Sequence, residues 1–373
     1  MLTIHSRAIA LRRMARMALV LGVGSLGLSV LAAVSPPAAP KEKYSINALT
    51  GTKYKPDPEM KDLLIAWAAL GGKPIETLTP TEARLQPTMA DAVNAVLKKR
   101  GGDTDPAKLA PGITTVDATI PVADGTQLTA TLYTPAGPGP FPAVVYFHGG
   151  GWVLANRNDA GARALAKGAE AVVISVDYRL APENKFPTAW DDALATYKWA
   201  TTNVGRWRGD PRRLALAGEG AGGNLALSTA ISAVGAGLTR PKAVIAIYPV
   251  TQTGSTTESY VDSAHAKPLN KAMIGWSLDH TLNSAANKAD PRLDIIHAKL
   301  SLLPSVTIIN AQIDPLRSDG AMLEEALKQA KIPVARKEYE GVTHEFFGAA
   351  PVLPAAKNAQ AFVVQQLKDA FKE

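Results

Sequence analysis

Five short apolar runs, separated by segments long enough to form helices, constrain the fold of this 373-residue chain more than any other feature. Strands that are apolar throughout are typical of a parallel sheet that helices cover on both faces. The chain is 46% hydrophobic, which is enough to bury one large core or two modest ones. The runs are AVVYF (143–147), AVVISV (171–176), LALAG (214–218), AVIAIY (243–248) and VTIIN (306–310).

An antiparallel hairpin is predicted just before these runs. Apolar residues alternate along 116–122 and again along 128–132, and the turn residues Asp124 and Gly125 lie between the two stretches. Alternation on both sides of an Asp-Gly turn predicts a β-hairpin. An antiparallel start that leads into a doubly wound parallel sheet is the outline of an α/β-hydrolase. We therefore assign residues 111–373 to a domain of this fold.

The amino terminus has the pattern of an export signal. Residues 1–35 contain no acid and place four arginines before an apolar run at 17–34. This pattern predicts a secretory signal peptide. Because the apolar run is just long enough to span a membrane, an uncleaved N-terminal anchor is the alternative. We expect an exported, periplasmic or secreted protein that contacts a membrane only if this segment is retained. The proline-rich segment 36–56 is interpreted as a linker.

Charge and cysteine content exclude several classes of function. Without the four N-terminal arginines the formal charge falls from +7 to +3, which is too small to indicate a nucleic-acid partner. Basic and aromatic residues are not interleaved as they are in a nucleic-acid groove. The chain has no cysteine, which excludes disulfides, thiolate catalysis and cysteine metal sites, and no metal site is expected.

Amphipathic helices are predicted between the linker and the hairpin, and we describe residues 57–110 as N-terminal cap helices. Asp57 and Pro58 have the composition of a helix start, and Thr79 to Glu82 forms a capping-box pattern. An apolar stripe follows within 89–97. These stripes are equally consistent with ordinary packing helices and with a lid over a pocket.

A glycine-rich loop follows the first apolar run. The sequence His148-Gly149-Gly150-Gly151-Trp152 allows backbone N–H groups to turn inward and form an anion-binding concavity. At the carboxyl end of a core strand, such a loop is suited to the oxyanion of a tetrahedral acyl intermediate. A tight glycine turn without a ligand is the alternative. His148 is expected to brace the loop by hydrogen bonding.

A strand-turn-helix pattern follows the third run and resembles a nucleophile elbow. The sequence Gly218-Glu219-Gly220-Ala221-Gly222 precedes a helix, and its flanking glycines are expected where side chains would collide with neighbouring elements. Ala221 would offer an oxyanion N–H at the helix amino terminus. A phosphate-binding loop is the competing interpretation, but the glycine spacing fits it poorly and no Lys-Ser/Thr pair follows.

An acid and a histidine follow the elbow in the order that α/β-hydrolases use. Asp314 comes four residues after the end of the fifth run, and His344 lies on a later loop. In a triad the acid orients the imidazole, and the imidazole transfers the proton. Each residue alone has a simpler interpretation, as a helix N-cap or a loop histidine. Their order and the two preceding loops predict that both face the elbow.

Five motifs in order resemble the hormone-sensitive lipase family of bacterial esterases: HGGGW, DYRLAPE, GEGAGG, DPLRSDG and GVTHEFF. The resemblance runs from about Met60 to the C-terminus. It implies an eight-stranded, mostly parallel sheet, helices on both faces, and a helical cap with an insertion near 255–290. It also implies hydrolysis of short- to medium-chain carboxylic esters without a cofactor. The oxyanion donors would be Gly150, Gly151 and Ala221, and the acid and base would be Asp314 and His344.

The chain departs from this family at the nucleophile, because Gly220 stands where the family has a serine. Glycine has no atom to attack a carbonyl, and neither Glu219 nor Ser228 is placed to replace one. Three interpretations stay open. The chain is an esterase altered at its nucleophile by engineering or a recent lesion, a natural pseudoenzyme that binds an ester, lactone or acyl ligand, or a slow hydrolase in which His344 activates water. Oligomeric state and ester specificity are not indicated.

Overall fold

One eight-stranded β-sheet organises the residues that the computed structural model describes, which are 45–154 and 160–372. The order of the strands across this sheet is β1-β2-β4-β3-β5-β6-β7-β8. The strands are β1 (Ile113–Pro121), β2 (Gln127–Pro135), β3 (Phe141–Phe147), β4 (Val172–Asp177), β5 (Gly209–Glu219), β6 (Ala243–Ile247), β7 (Ser305–Ile313) and β8 (Val334–Thr343).

The predicted hairpin and the predicted parallel sheet are both present. β1 and β2 pair antiparallel, with Val116 opposite Leu132, and β2 pairs antiparallel with β4. From β4 onward all neighbouring strands are parallel. The carboxyl ends of β3, β5, β7 and β8 therefore lie at one edge of the sheet.

Helices cover both faces of the sheet, which confirms the α/β-hydrolase fold class. Successive residues of β3 alternate between two hydrophobic clusters, with Val145 and Phe147 in one and Val144 and Tyr146 in the other. The helices are α1 (Ile46–Thr50), α2 (Pro58–Ala69), α3 (Pro80–Ala83), α4 (Met89–Lys99), α5 (Pro106–Leu109), α6 (Ala160–Ala169), α7 (Thr188–Asn203), α8 (Ala221–Gly235), α9 (Glu258–Asp262), α10 (Lys271–Thr281), α11 (Arg317–Gln329) and α12 (Pro354–Ala370). Residues of α7, α8 and α11 join the first cluster, and residues of α2, α4, α6 and α12 join the second.

The segment expected to be a linker is folded in its described part. From Ser45 onward it contains α1, and Leu49 and Thr50 in this helix are buried. The Ser45 hydroxyl caps the helix by accepting a hydrogen bond from the N–H of Ala48. The structure therefore differs from a plain linker at Ile46–Thr50, where burial and a cap stabilise a helix that is too short to show periodicity.

The N-terminal helices have two kinds of partner. α2 and α4 share a hydrophobic cluster with sheet residues, as ordinary packing helices do. The stretch between them contacts the insertion instead, because the indole N–H of Trp276 in α10 donates to the carbonyl of Leu78 over 3.0 Å. Arg84 also donates to the carbonyl of Val153 over 2.9 Å, in the segment after β3.

The insertion between β6 and β7 contains α9 and α10, within the range 255–290 in which a cap piece was expected.

The predicted signal or anchor segment, 1–35, lies outside the described residues. Within the part of the chain that the structure describes, no helix has the length and apolar character needed to cross a membrane.

Candidate active site

Gly220 forms the turn between β5 and α8, at the carboxyl edge of the sheet. Its backbone has φ 53° and ψ −113°, a conformation that residues with a side chain rarely adopt. Its N–H donates to the carbonyl of Ile247 over 2.9 Å, and its carbonyl accepts from the N–H of Val250 over 3.1 Å. The end of β6 thus holds the turn from both sides.

The flanking glycines are required by close backbone contacts, as the sequence predicts. A Cβ atom on Gly218 would lie 2.1 Å from the carbonyl oxygen of Gly222. A Cβ atom on Gly222 would lie 2.0 Å from the carbonyl oxygen of Phe147 in β3. Both distances are far below van der Waals contact, so the sharp strand-turn-helix geometry of the elbow is present.

Asp314 and His344 meet beside this turn, although they follow different strands. Asp314 directly follows β7, and His344 directly follows β8. The Nδ1–H of His344 donates to Asp314 Oδ2 over 2.7 Å, and the other carboxylate oxygen accepts the N–H of Leu316 over 2.8 Å. Asp314 is fully buried and His344 is 7% exposed. The carboxylate therefore fixes the imidazole as the Nδ1–H tautomer, which leaves Nε2 free to accept a proton.

The Nε2 atom of His344 faces Gly220. A Cβ atom on Gly220 would lie 3.4 Å from Nε2 and 3.6 Å from Cε1 of the imidazole. Burial lowers the pKa of His344, but the charge and hydrogen bond of Asp314 raise it, and the net pKa shift is upward. The site therefore holds a basic imidazole against the position where a nucleophile side chain would begin.

The glycine-rich loop after β3 lies close to the start of α8. Gly150 and Gly151 both have positive φ angles, 97° and 62°. In the described part of the chain, no acceptor is found for the N–H groups of Gly150, Gly151 and Ala221. The contact of Gly222 with Phe147 brings the first turn of α8 against the end of β3. This arrangement is suited to an anion, with the helix amino terminus adding favourable dipole charge.

His148 braces the loop, in line with its expected role. Its Nδ1–H donates to the carbonyl of Gly149 over 2.8 Å, and its ring stacks on Tyr178 at 4.3 Å between centroids. Burial lowers the pKa of His148, which favours the neutral imidazole.

Sequence reasoning did not find the partners of Glu219, the residue before the turn. Glu219 is buried and accepts hydrogen bonds from the hydroxyls of Tyr146 and Tyr248. The ring of Tyr248 also packs against His344, with centroids 4.4 Å apart. Tyr248 has φ 35°, a strained value for a residue with a side chain. The sequence shows Tyr248 at the end of an apolar run, directly before Pro249. Nothing in the sequence indicates that this tyrosine contacts the imidazole of His344.

The eight-stranded sheet, the sharp strand-turn-helix, the acid-histidine pair and the glycine-rich loop are together those of the α/β-hydrolase class. A family model described as "alpha/beta hydrolase fold" matches residues 144–348. Carboxylesterase NlhH of Mycobacterium tuberculosis is 35% identical over 297 residues, which are 76% of this chain and 91% of that protein. The chain belongs to the hormone-sensitive lipase family of α/β-hydrolases and is of the carboxylesterase type.

Other similar proteins agree in class. An ethyl acetate hydrolase of Pseudomonas putida is 31% identical over 260 residues, which are 68% of this chain and 81% of that protein. An esterase of Pyrobaculum calidifontis has a solved structure that matches with a TM-score of 0.72 and 33% identity, covering 79% of this chain and 94% of the other.

Proposed function

We propose that the chain carries the machinery for hydrolysing short- to medium-chain carboxylic esters, and that its turnover is severely impaired because Gly220 occupies the nucleophile position. The acid-histidine pair, the oxyanion N–H groups and the carboxylesterase relatives support this proposal. The observation that carries it is the 3.4 Å separation between His344 Nε2 and a Cβ position on Gly220.

A seryl Oγ on that Cβ would come within hydrogen-bonding reach of Nε2. In a serine hydrolase the imidazole removes the Oγ proton during attack, the N–H groups stabilise the oxyanion, and the imidazolium then protonates the departing alcohol. Glycine supplies no oxygen, so no acyl-enzyme forms. Water activated by His344 is the remaining route, and loss of such a serine typically lowers turnover about 10⁶-fold.

The test is to introduce the missing serine. Gly220→Ser should raise hydrolysis of p-nitrophenyl butyrate by several orders of magnitude over the unaltered chain. A fluorophosphonate should label the variant covalently and leave the unaltered chain unlabelled. Adding His344→Ala should abolish the gain, because the serine loses its base. Ordinary esterase rates in the unaltered chain would instead show that an unrecognised group is the nucleophile.

The second candidate is a pseudoenzyme that binds an ester, lactone or acyl ligand. The oxyanion N–H groups favour it, because they remain available for a ligand oxygen without any nucleophile. If Gly220→Ser folds but stays inactive, the site has changed beyond this residue and the binding role becomes the better assignment.

We also propose export, on the sequence pattern of residues 1–35 alone. Expressed in a Gram-negative host, most of the protein should reach the periplasm shortened by about thirty residues. Full-length protein in the membrane fraction would indicate an anchor, and cytoplasmic protein would contradict both forms of export.

A further inference from the structure

The hydrogen bond at Nδ1 fixes only one edge of the His344 imidazole. It joins Nδ1 to Asp314 over 2.7 Å and so sets the direction of that nitrogen. A single hydrogen bond does not set the plane of the ring, because the ring can still turn about the axis of the bond. Proton transfer at Nε2 needs the plane as well, since a displacement of about 1 Å in an active site can lower turnover about 100-fold.

The ring of Tyr248 packs against this imidazole and limits its turning. The two ring centroids are 4.4 Å apart, and the ring planes are inclined by 51°. Tyr248 is 1% exposed, and its hydroxyl donates to the buried carboxylate of Glu219. Glu219 directly precedes Gly220 in the chain. The tyrosine therefore connects the strand that carries the nucleophile position to the ring that acts as the base.

The backbone around Tyr248 also holds the nucleophile position. The carbonyl of Ile247 and the N–H of Val250 form the two hydrogen bonds to Gly220. The N–H of Tyr248 itself donates to the carbonyl of Ile309 in β7 over 2.6 Å. Tyr248 keeps its φ of 35° between these bonds, and such strain persists only where the surrounding contacts determine the conformation. One short segment thus contacts both the nucleophile position and the base.

We propose that Tyr248 is a positioning residue, with its hydroxyl held by Glu219 so that its ring keeps Nε2 of His344 directed at the nucleophile position. The proposal rests on the proposed function, because it concerns the base of the same site. Tyr248 acts through the imidazole and not on the substrate. Removing its hydroxyl should let both rings move, while the hydrogen bond between His344 and Asp314 still forms.

The first test needs no nucleophile and uses NMR of the otherwise unaltered chain with isotope-labelled histidine. The imidazole signals of His344 are assigned by their loss in His344→Ala. In Tyr248→Phe these signals should broaden or double, because the imidazole then samples a second orientation. Its Nδ1 proton should exchange with water about tenfold faster. Unchanged signals and unchanged exchange would overturn the proposal.

The matched control is Tyr146→Phe. Tyr146 lies in β3, is fully buried and donates the other tyrosine hydrogen bond to Glu219. Each variant removes one hydroxyl from the same buried carboxylate, so both should lose stability similarly in urea unfolding. Only Tyr248→Phe should alter the His344 signals. If Tyr146→Phe alters them equally, the effect belongs to Glu219 and the role of Tyr248 is refuted.

The second test uses the Gly220→Ser background. There Tyr248→Phe should lower kcat for p-nitrophenyl butyrate about tenfold with KM nearly unchanged, because the base is displaced and substrate binding is not. Covalent labelling by the fluorophosphonate should slow by a similar factor, since it requires the same activation of the serine. Tyr146→Phe should change both rates by no more than about twofold.

The outcomes separate this proposal from the proposed function. Unchanged kcat and labelling for Tyr248→Phe in an active background would overturn the positioning role and leave the proposed function standing. A raised KM with unchanged kcat would also overturn it, because the tyrosine would then act on the substrate. If Gly220→Ser folds but is inactive, the proposed function fails, and the NMR signals of His344 alone decide whether Tyr248 holds the imidazole.

Discussion

Introducing a side chain at Gly220 should reduce the stability of the protein even where the new residue gives it esterase activity. The backbone there has φ 53° and ψ −113°, outside the regions that L-residues populate. Holding a residue with a side chain in such a conformation costs about 1–3 kcal/mol. The nearest atoms to a new Cβ lie at 3.4 and 3.6 Å, ordinary contact distances, so crowding adds little.

An opposing effect reduces the net loss. Replacing glycine restricts the unfolded chain and typically stabilises a protein by about 0.4–1 kcal/mol. We therefore expect Gly220→Ala to lower the free energy of unfolding by about 1–2 kcal/mol. Gly220→Ser should lose less, because a hydrogen bond from Oγ to His344 Nε2 contributes about 1 kcal/mol.

Urea-induced unfolding of the unaltered chain, Gly220→Ala and Gly220→Ser measures these differences in the free energy of unfolding. Hydrolysis of p-nitrophenyl butyrate by the same three proteins is measured in parallel. Alanine introduces the same strain as serine without the oxygen, so only serine should gain activity. Gly235→Ala is the matched control. Gly235 is the last residue of α8, and a Cβ atom on it would have no other atom within 4 Å. It should be neutral or stabilising by up to about 1 kcal/mol. A Gly220→Ala variant as stable as the unaltered chain would refute the argument from backbone strain.

Three further outcomes follow from the site. Gly222→Ala should destabilise the protein by about 3 kcal/mol, measured by urea unfolding, because its Cβ would lie 2.0 Å from the carbonyl oxygen of Phe147 and α8 must move away from β3. Asp314→Asn should bring the pKa of His344 below its usual value, because burial, the largest effect, is then opposed only by the charge of Glu345; an NMR titration of the imidazole measures this pKa. Because the pKa of His344 is raised in the folded state, protonated His344 stabilises the fold at low pH, and this stabilisation is lost as the pH rises through that pKa. Asp314→Asn should lack this pH dependence. An unchanged titration of His344 in the variant would contradict its pairing with Asp314. Tyr248→Phe should cost about 1–3 kcal/mol in the same unfolding assay, because buried Glu219 loses a hydrogen-bond donor.

The sequence alone determined most strands of the sheet and most of the residues at its active edge. Uniformly apolar runs predict parallel strands, and the carboxyl ends of parallel strands meet at one edge. Gly150, Gly220 and Asp314 follow three such runs closely, and their proximity follows from that rule. The β8 strand, which precedes His344, was not among the predicted runs because its half-exposed residues lack a continuous apolar pattern. His344 was found from its order in the chain and from the family motif.

Only the tertiary structure decided which side chains surround these residues. The contact of Ser277 with Gly151 joins residues 126 positions apart, and the contact of Tyr248 with His344 joins residues 96 apart. Neither has a periodic signature, because each depends on how one segment packs on another and not on local conformation. The same reason explains α1, a helix too short for periodicity that is stabilised by burial of Leu49. Local pattern determines which elements form and where strand ends converge, whereas packing between distant segments determines what each side chain contacts.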